Sequence, residues 1–388
     1  MSVVLQASRK HRATQPARAR QRLDLDLIVP VVLLMGLGLV MVTSASIGIA
    51  DRLTDDPLYY FKRQVVFMAA GVITLVLTYR VRLTFWRQAS QPLLVLAMFL
   101  LVLVLIPGIG KSVNGSSRWL SLGGFGLQVS EFAKLFVIIY MASYIAQHGQ
   151  NLRATTDAFV TPMLLLMIIA VLLLLEPDYG AVAVLTATSL GMLFLGGVRL
   201  WQFVLLLVAA AGVLAVLALS SPYRLERLTA FLNPWADPYD SGFQLTQSLI
   251  AIGSGSWWGV GLGNSIQKLF YLPEAHTDFL FAVLAEELGF VGMICVMALY
   301  SLLVWRCFAL GKMAANRGLH FAVSLSYGIG IWLGLQAFIN IGVNLGILPT
   351  KGLTLPLMST GGSSMLVSCA AVGLLLRVHR ESCDVAGR

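Results

Sequence analysis

The sequence predicts an all-α polytopic membrane protein of ten transmembrane helices, with both termini cytoplasmic and a large extracytoplasmic loop between spans seven and eight. Three observations lead there. Of the 388 residues, 58% are hydrophobic and only 12% charged, whereas a soluble domain carries about 25% charged residues. Apolar runs recur along the whole chain, and runs of about 18 or more residues with few charges read as membrane spans. Basic residues, finally, collect after alternate runs, which orients them.

The first 22 residues hold Arg9, Lys10, Arg12, Arg18, Arg20 and Arg22 and no acid. No cleavable signal pattern follows, because the basic stretch is long and no small-residue site closes a short apolar core. Residues 1–26 are therefore expected to be a basic cytoplasmic tail, a topology anchor or a docking segment. The net charge of +9 is placed at the membrane surface by this tail, and nucleic acid is not expected as a partner.

Residues 27–377 form the predicted membrane domain. Its spans are 27–47, 62–79, 90–107, 130–148, 158–175, 180–197, 199–220, 278–306, 319–346 and 357–377. Arg80, Arg82 and Arg87 follow span two, Arg153 span four and Arg199 span six. Arg306, Lys312 and Arg317 follow span eight, and Arg377 and Arg380 follow span ten, leaving 378–388 as a short cytoplasmic tail. The opposite side receives the loops 108–129, 176–180, 221–277 and 347–356. In the long one, 244–252 reads as a short interfacial helix. Glycines 253, 255, 259, 261 and 263 follow, with Trp257 and Trp258 suited to the headgroup level. Irregular backbone at that depth requires cover by protein or by a wet cavity. Cys295, Cys307, Cys369 and Cys383 are not placed for an extracytoplasmic disulfide. No histidine pair at helical spacing supports a haem or zinc site.

Polar sequence outside the tails crowds the outer ends. NGSSRW holds Asn114 and Arg118, SEFAK holds Ser130, Glu131 and Lys134, and EPDYG holds Glu176 and Asp178. LPEAHTDF holds Glu274, His276 and Asp278, while LPTKGLTLPLMSTGGSS holds Lys351, Thr354, Ser359, Thr360, Ser363 and Ser364. Such a distribution describes a wet cavity that opens outward, and ionisable groups at membrane depth usually face one. Each has a plainer reading. Glu131 and Lys134 suit a helical ion pair at i, i+3. Glu286 and Glu287 suit pairing with a neighbouring helix, Glu274 and His276 the headgroup level, and EPDYG a tight turn. Asp278 stands before Phe279, Leu280 and Phe281 at a helix start. It reads either as a helix cap or as a partly desolvated general base.

An outward cavity with one candidate base and the cations Arg118, Lys134 and Lys351 suits an anionic, lipid-linked substrate, whose diphosphate leaves under cationic stabilisation. No P-loop, dinucleotide fingerprint or zinc motif is present.

These stretches together resemble the SEDS family (shape, elongation, division and sporulation proteins). The resemblance covers about 25 to 377 and includes VTSAS at 42–46, NGSSRW at 114–119, VSEFAK at 129–134 and EPDYG at 176–180. It continues through NPWADPYDSGFQLTQS at 233–248, GLGNSIQKLFYLPEAHTDFLFAVLAEELG at 261–289 and LPTKGLTLPLMSTGGSS at 348–364. The basic tail and VTSAS favour the cell-division branch. Val129 stands where the family usually has proline, and Thr360 where an aromatic is common. The resemblance implies a bacterial inner-membrane peptidoglycan glycosyltransferase that polymerises lipid II at the division septum. It further implies a cognate class B penicillin-binding protein and other divisome membrane proteins as partners. The family's essential acid matches Asp278, and its Glu/Lys pair matches Glu131 and Lys134. On that basis Asp278 is expected to activate the acceptor GlcNAc 4-hydroxyl for inverting attack on MurNAc C1. Arg118 and Lys351 are expected at the diphosphate, with Asn114, Glu131, Lys134, Glu274, His276 and Ser359 lining the substrate site and a divalent cation (Mg2+ or Mn2+) as a candidate at the phosphates. The rival expectations are a lipid II transporter, which needs polar groups at the bilayer midplane, and a non-catalytic divisome scaffold.

Overall fold

The computed structural model describes residues 24–113, 116–122, 125–149, 157–199, 201, 202, 204, 208, 212, 216, 219, 231–239, 242–269, 272–350 and 352–386. Apolar runs become helices because in a bilayer every backbone N–H and C=O has to be satisfied within the segment. The helices are α1 (Leu25–Thr54), α2 (Tyr59–Arg80), the short α3 (Leu83–Gln88), α4 (Ser90–Leu105), α5 (Val129–His148), α6 (Asp157–Leu175) and α7 (Tyr179–Leu195). They continue with α8 (Phe243–Ser254), α9 (Leu280–Ala315), α10 (His320–Asn344) and α11 (Gly362–Ala386). Among the described residues, α1, α2, α5, α9, α10 and α11 are long and apolar enough to cross a membrane, and α4, α6 and α7 are shorter apolar helices. The predicted span 199–220 lies largely outside the described residues.

Two features differ from the expectation. The fold is not purely α. A three-stranded antiparallel sheet, β1 (Gly110–Val113), β2 (Ser116–Leu122) and β3 (Phe125–Gln128), fills the connection between α4 and α5 in the order β1-β2-β3. Pairing of Trp119 with Gln128 on β3 sets the register. The C-terminal segment is also not a separate tail, since α11 runs to Ala386 and keeps Val378 and Ser382 buried.

The best-enclosed helices are α5 and α11, each 83% buried along its apolar stretch, against 22% for α2. The side chains of α5 meet α4, α7, α10 and α11, so a polar group on α5 is answered inside the protein rather than by lipid.

α9 is broken one-quarter of the way along, at Gly289 (φ 65). The 255–261 segment supplies the missing hydrogen bonds. Val260 N–H donates to Glu286 O at 2.9 Å and Gly261 N–H to Glu287 O at 3.1 Å. In return Phe290 N–H donates to Ser256 O at 2.9 Å and Val291 N–H to Trp257 O at 3.3 Å. Backbone meets backbone here, so a Cβ at Gly255 or Gly259 would collide with the carbonyl oxygens of Ala285 and Glu287. The glycine-rich run is thus the cover for a broken helix.

Charged groups tie the other end of the bundle. Arg306 donates to both oxygens of Asp24 at 2.9 and 3.0 Å. Arg377 pairs with Glu381, which also accepts from Leu83 N–H.

Candidate active site

The loops at one end of the bundle converge on residues 274–279. Their turn is wound around the Glu274 carbonyl, which accepts from the N–H groups of Thr277, Asp278 and Phe279 at 3.1, 3.2 and 3.3 Å. α9 begins at Leu280 with no side-chain cap from its own N-terminus. Asp278 therefore does not cap the helix. That role falls to Asn344 of α10, whose Oδ1 accepts from Ala282 N–H at 3.1 Å.

Asp278 is anchored by its backbone and open at its carboxylate. Its carbonyl accepts from Asn340 Nδ2 at 2.8 Å and from Asn344 Nδ2 at 3.1 Å. The half-buried carboxylate has no hydrogen-bond donor among the described residues. One oxygen lies against Gly352, where a Cβ would come within 2.9 Å of it. Burial lifts this carboxyl to about 7, the charge of Glu274 adds to the rise, Arg118 opposes it and Asp178 adds a little more.

The other expected residues fall into three groups. Arg118, on β2, reaches the EPDYG turn: it donates to Glu176 O at 3.2 Å and to Pro177 O, and stands 4.0 Å from Asp178. Asp178 caps α7 through Ala181 N–H at 3.1 Å. Glu176 is fully buried, and among the described residues neither of its carboxylate oxygens has a hydrogen-bond partner. Burial pushes it up to about 8, with Asp178 raising it further and Arg118 lowering it.

Glu131 and Lys134 form a buried ion pair at 2.8 Å. The lysine also donates to Gln336 Oε1 at 2.8 Å, and Gln336 Nε2 donates to Thr354 O at 3.0 Å. This pair thus faces α10 and the 352–361 loop rather than open solvent. Ser359 is buried and accepts from Leu355 N–H at 3.0 Å, shaping the same loop.

Glu274 and His276 lie beside Asp278. Glu274 accepts from the Thr277 hydroxyl at 2.8 Å. His276 packs on Tyr60 with ring centroids 4.6 Å apart, and its carbonyl accepts from Thr360 N–H at 3.1 Å. Burial holds its imidazole below the ordinary range. Asn114 and Lys351 lie outside the described residues.

Sequence reasoning missed Gln336, Asn340 and Asn344. All three are buried. Their spacing of four puts them on one stripe of α10, and amides at one-turn intervals in an otherwise apolar helix were a legible signal.

Glu286 and Glu287 are fully answered. Glu286 accepts from Ser265 Oγ at 2.5 Å, Ile266 N–H at 3.0 Å and Gln267 N–H at 3.4 Å. Glu287 pairs with Lys268 at 2.8 Å and accepts from the Ser44 hydroxyl. Glu287 reaches a neighbouring helix through Ser44 of α1, as the plainer reading has it, whereas Glu286 is answered by the 265–267 loop; both hold structure.

Known proteins share much of this sequence and this fold. The cell cycle protein family of FtsW, RodA and SpoVE matches residues 25–384. A probable peptidoglycan glycosyltransferase FtsW of Thioalkalivibrio sulfidiphilus is 62% identical over 344 residues, covering 89% of this chain and 86% of its own. A probable peptidoglycan glycosyltransferase FtsW of Coxiella burnetii is 54% identical, over 88% of this chain and 92% of its own. A chain from a solved peptidoglycan synthase complex that coordinates polymerization and crosslinking superposes with a TM-score of 0.76 at 31% identity, over 93% and 98% of the two chains. The rod shape determining protein RodA of Thermus thermophilus superposes at 0.67 with 30% identity, over 92% and 97%. Matched across nearly its whole membrane domain, the chain belongs to the FtsW/RodA/SpoVE family of cell cycle proteins, the SEDS family that its motifs resemble.

Proposed function

We propose that this chain polymerises lipid II at the division septum, with Asp278 as the general base. The enzyme class is that of its relatives: it is a peptidoglycan glycosyltransferase of the cell-division branch. One observation carries the assignment of the base. Asp278 is a carboxylate held by its backbone, free of hydrogen-bond donors among the described residues, and raised to about 7 by burial. An acid so placed is deprotonated in part at neutral pH and basic enough to accept a proton.

The site end of the bundle faces the extracytoplasmic side, both termini are cytoplasmic, and residues 199–220 complete ten spans. The acceptor presents its GlcNAc 4-hydroxyl to Asp278, which takes the proton. The oxygen attacks MurNAc C1 from the face opposite the diphosphate, the C1–O bond to undecaprenyl diphosphate breaks, and configuration inverts. Arg118 and Lys351 supply positive charge to the leaving diphosphate. Arg118 is suited to this because the EPDYG turn fixes it while its side chain stays 26% exposed. Asn114, Glu274 and His276 line the sugar end. Glu131, Lys134 and Ser359 act from behind, by holding the 352–361 loop. Among the described residues no group of three or more His, Cys, Asp or Glu side chains is placed to hold a metal ion. A class B penicillin-binding protein supplies crosslinking, with other divisome membrane proteins around the pair.

The test is glycan polymerisation from purified lipid II by wild type and Asp278→Asn, each with the class B partner. The variant is expected to lose about 10²–10⁴-fold in rate while folding and partner binding persist. Retention of configuration at C1 would exclude the single displacement. Equal polymer from both proteins would return the choice to lipid II transport or scaffolding.

A further inference from the structure

We propose that Asn340 is a positioning residue for this reaction: its side-chain amide ties the backbone of Asp278 to that of Leu353 and so fixes where the Asp278 carboxylate lies against Gly352. The inference rests on the reading of Asp278 as the base.

One nitrogen makes both bonds. Asn340 Nδ2 donates to Asp278 O at 2.8 Å and to Leu353 O at 2.6 Å. The side chain is buried, so no water competes for either carbonyl. Asn344, a turn further on, donates to the same Asp278 carbonyl and caps α9 through Ala282. Gln336, a turn back, holds Thr354 O and is itself held by Lys134 and by Trp332 Nε1 at 2.8 Å each. Three amides on one stripe of α10 therefore grip two separate loops. Asn340 is the member that grips both at once.

The grip reaches the reacting group from two directions. The Asp278 backbone hangs directly from Asn340. The Asp278 carboxylate rests on Gly352, the neighbour of Leu353, with no room for a side chain between them. Loosening Asn340 frees the Leu353 side and leaves the Asp278 carbonyl on the longer bond from Asn344. A base displaced by about 1 Å from its proton costs about 10²-fold in rate. Packing alone does not require this arrangement, since an apolar side chain of the same shape would fill the space, leave the Leu353 carbonyl without its donor and leave the Asp278 carbonyl to Asn344 alone.

The charges that reach Asp278 are Glu274 on its own loop, Arg118 on β2 and Asp178 at the start of α7. The faces of α10 and of residues 352–354 that pack on it present amides and carbonyls, and Lys351 adjoins them in sequence. None of these charges is altered by the variants below.

The experiment measures lipid II polymerisation by the full chain with its class B partner, for Asn340→Leu, Asn340→Gln, Gly352→Ala and Asp278→Asn, across pH. Asn340→Leu is expected to lower kcat roughly 10–100-fold with KM held within about twofold. Its acid limb should move to lower pH as the carboxylate gains water. Asn340→Gln keeps an amide donor and should recover part of the loss. Gly352→Ala pushes on the carboxylate from the opposite side and should show the same kcat-dominated signature without touching α10. Wild-type kcat and an unmoved acid limb in Asn340→Leu, with Asp278→Asn inactive, would leave the base in place and overturn the positioning role. A rise in KM with kcat unchanged would also overturn it. If Asn340→Leu does not fold, Asn340→Ala, which removes the amide without adding bulk, decides: wild-type kcat with an unmoved acid limb there refutes the proposal. Full activity in Asp278→Asn would remove the base and the inference with it.

Discussion

Asp278 and the pair Glu286–Glu287 lie within ten residues of one another in sequence, yet the protein treats them oppositely. Glu286 accepts from three donors and Glu287 from a lysine and a serine. Their carboxylates are spent on holding residues 265–268 and Ser44 of α1 against the first turns of α9. Asp278 receives its hydrogen bonds at its carbonyl, and its carboxylate has no donor among the described residues. Acids of equal cost in a membrane protein thus divide by what answers them. A fully answered carboxylate holds structure, and a partly buried one with no donor among the described residues is a candidate for proton transfer.

The largest expected effect is the loss of polymerisation in Asp278→Asn, and pH sharpens it. The base acts when deprotonated, so kcat should rise with pH through about 7, the value to which burial brings this carboxyl. The rise should be absent from whatever residual rate the variant retains. A flat wild-type profile from pH ~5 to ~9 would break the contrast with Glu286 and Glu287. The signature of Asn340→Leu ranks next, because it displaces the base without removing it.

Glu287→Ala probes the other side of the comparison. It strands Lys268, which is only 11% exposed at its side chain, beside an empty partner. Breaking a buried pair by removing one member costs about 3–5 kcal/mol. The expected result is a lowered thermal midpoint in detergent, with polymerisation per folded molecule unchanged. Unaltered stability together with lost kcat would place Glu287 with Asp278 and erase the distinction.

How far the sequence reveals this division differs by element. The helices were legible because apolar length is a strong signal: the expected span 130–148 is Val129–His148, and 319–346 is His320–Asn344. The convergence of EPDYG, LPEAHTDF and the 352–361 loop was also legible from the crowding of polar residues at one end. The sheet at 110–128 was not. Its strands are short, and antiparallel pairing rather than an alternating apolar pattern defines them. Nor was the break at Gly289, because the apolar run continues through it and the replacement hydrogen bonds come from residues some thirty positions earlier. Asn344 as the cap of α9 belongs to the same kind: the first turn shows no local cap, and the donor and acceptor sit on different helices.

Glu176 gives the smallest effect and the finest test. It is as buried as Glu287 but has no partner for either oxygen among the described residues. Burial favours its protonated form, raising it from its ordinary 4.5 to about 8. The sign follows from proton linkage. Between these two values the folded chain binds more protons at this site than the unfolded chain, so stability falls as pH rises. The contribution is fullest at and below about pH 4.5 and is gone above about 8. Glu176→Gln stays neutral throughout. Its thermal midpoint should match wild type near the acid end and exceed it near the alkaline end, read as the difference between the two proteins so that Asp278 cancels. A midpoint difference that does not change with pH would mean that Glu176 is ionised in the folded protein and answered by a group such as Arg118. It would then join Glu286 and Glu287 among the acids that hold structure by being paired.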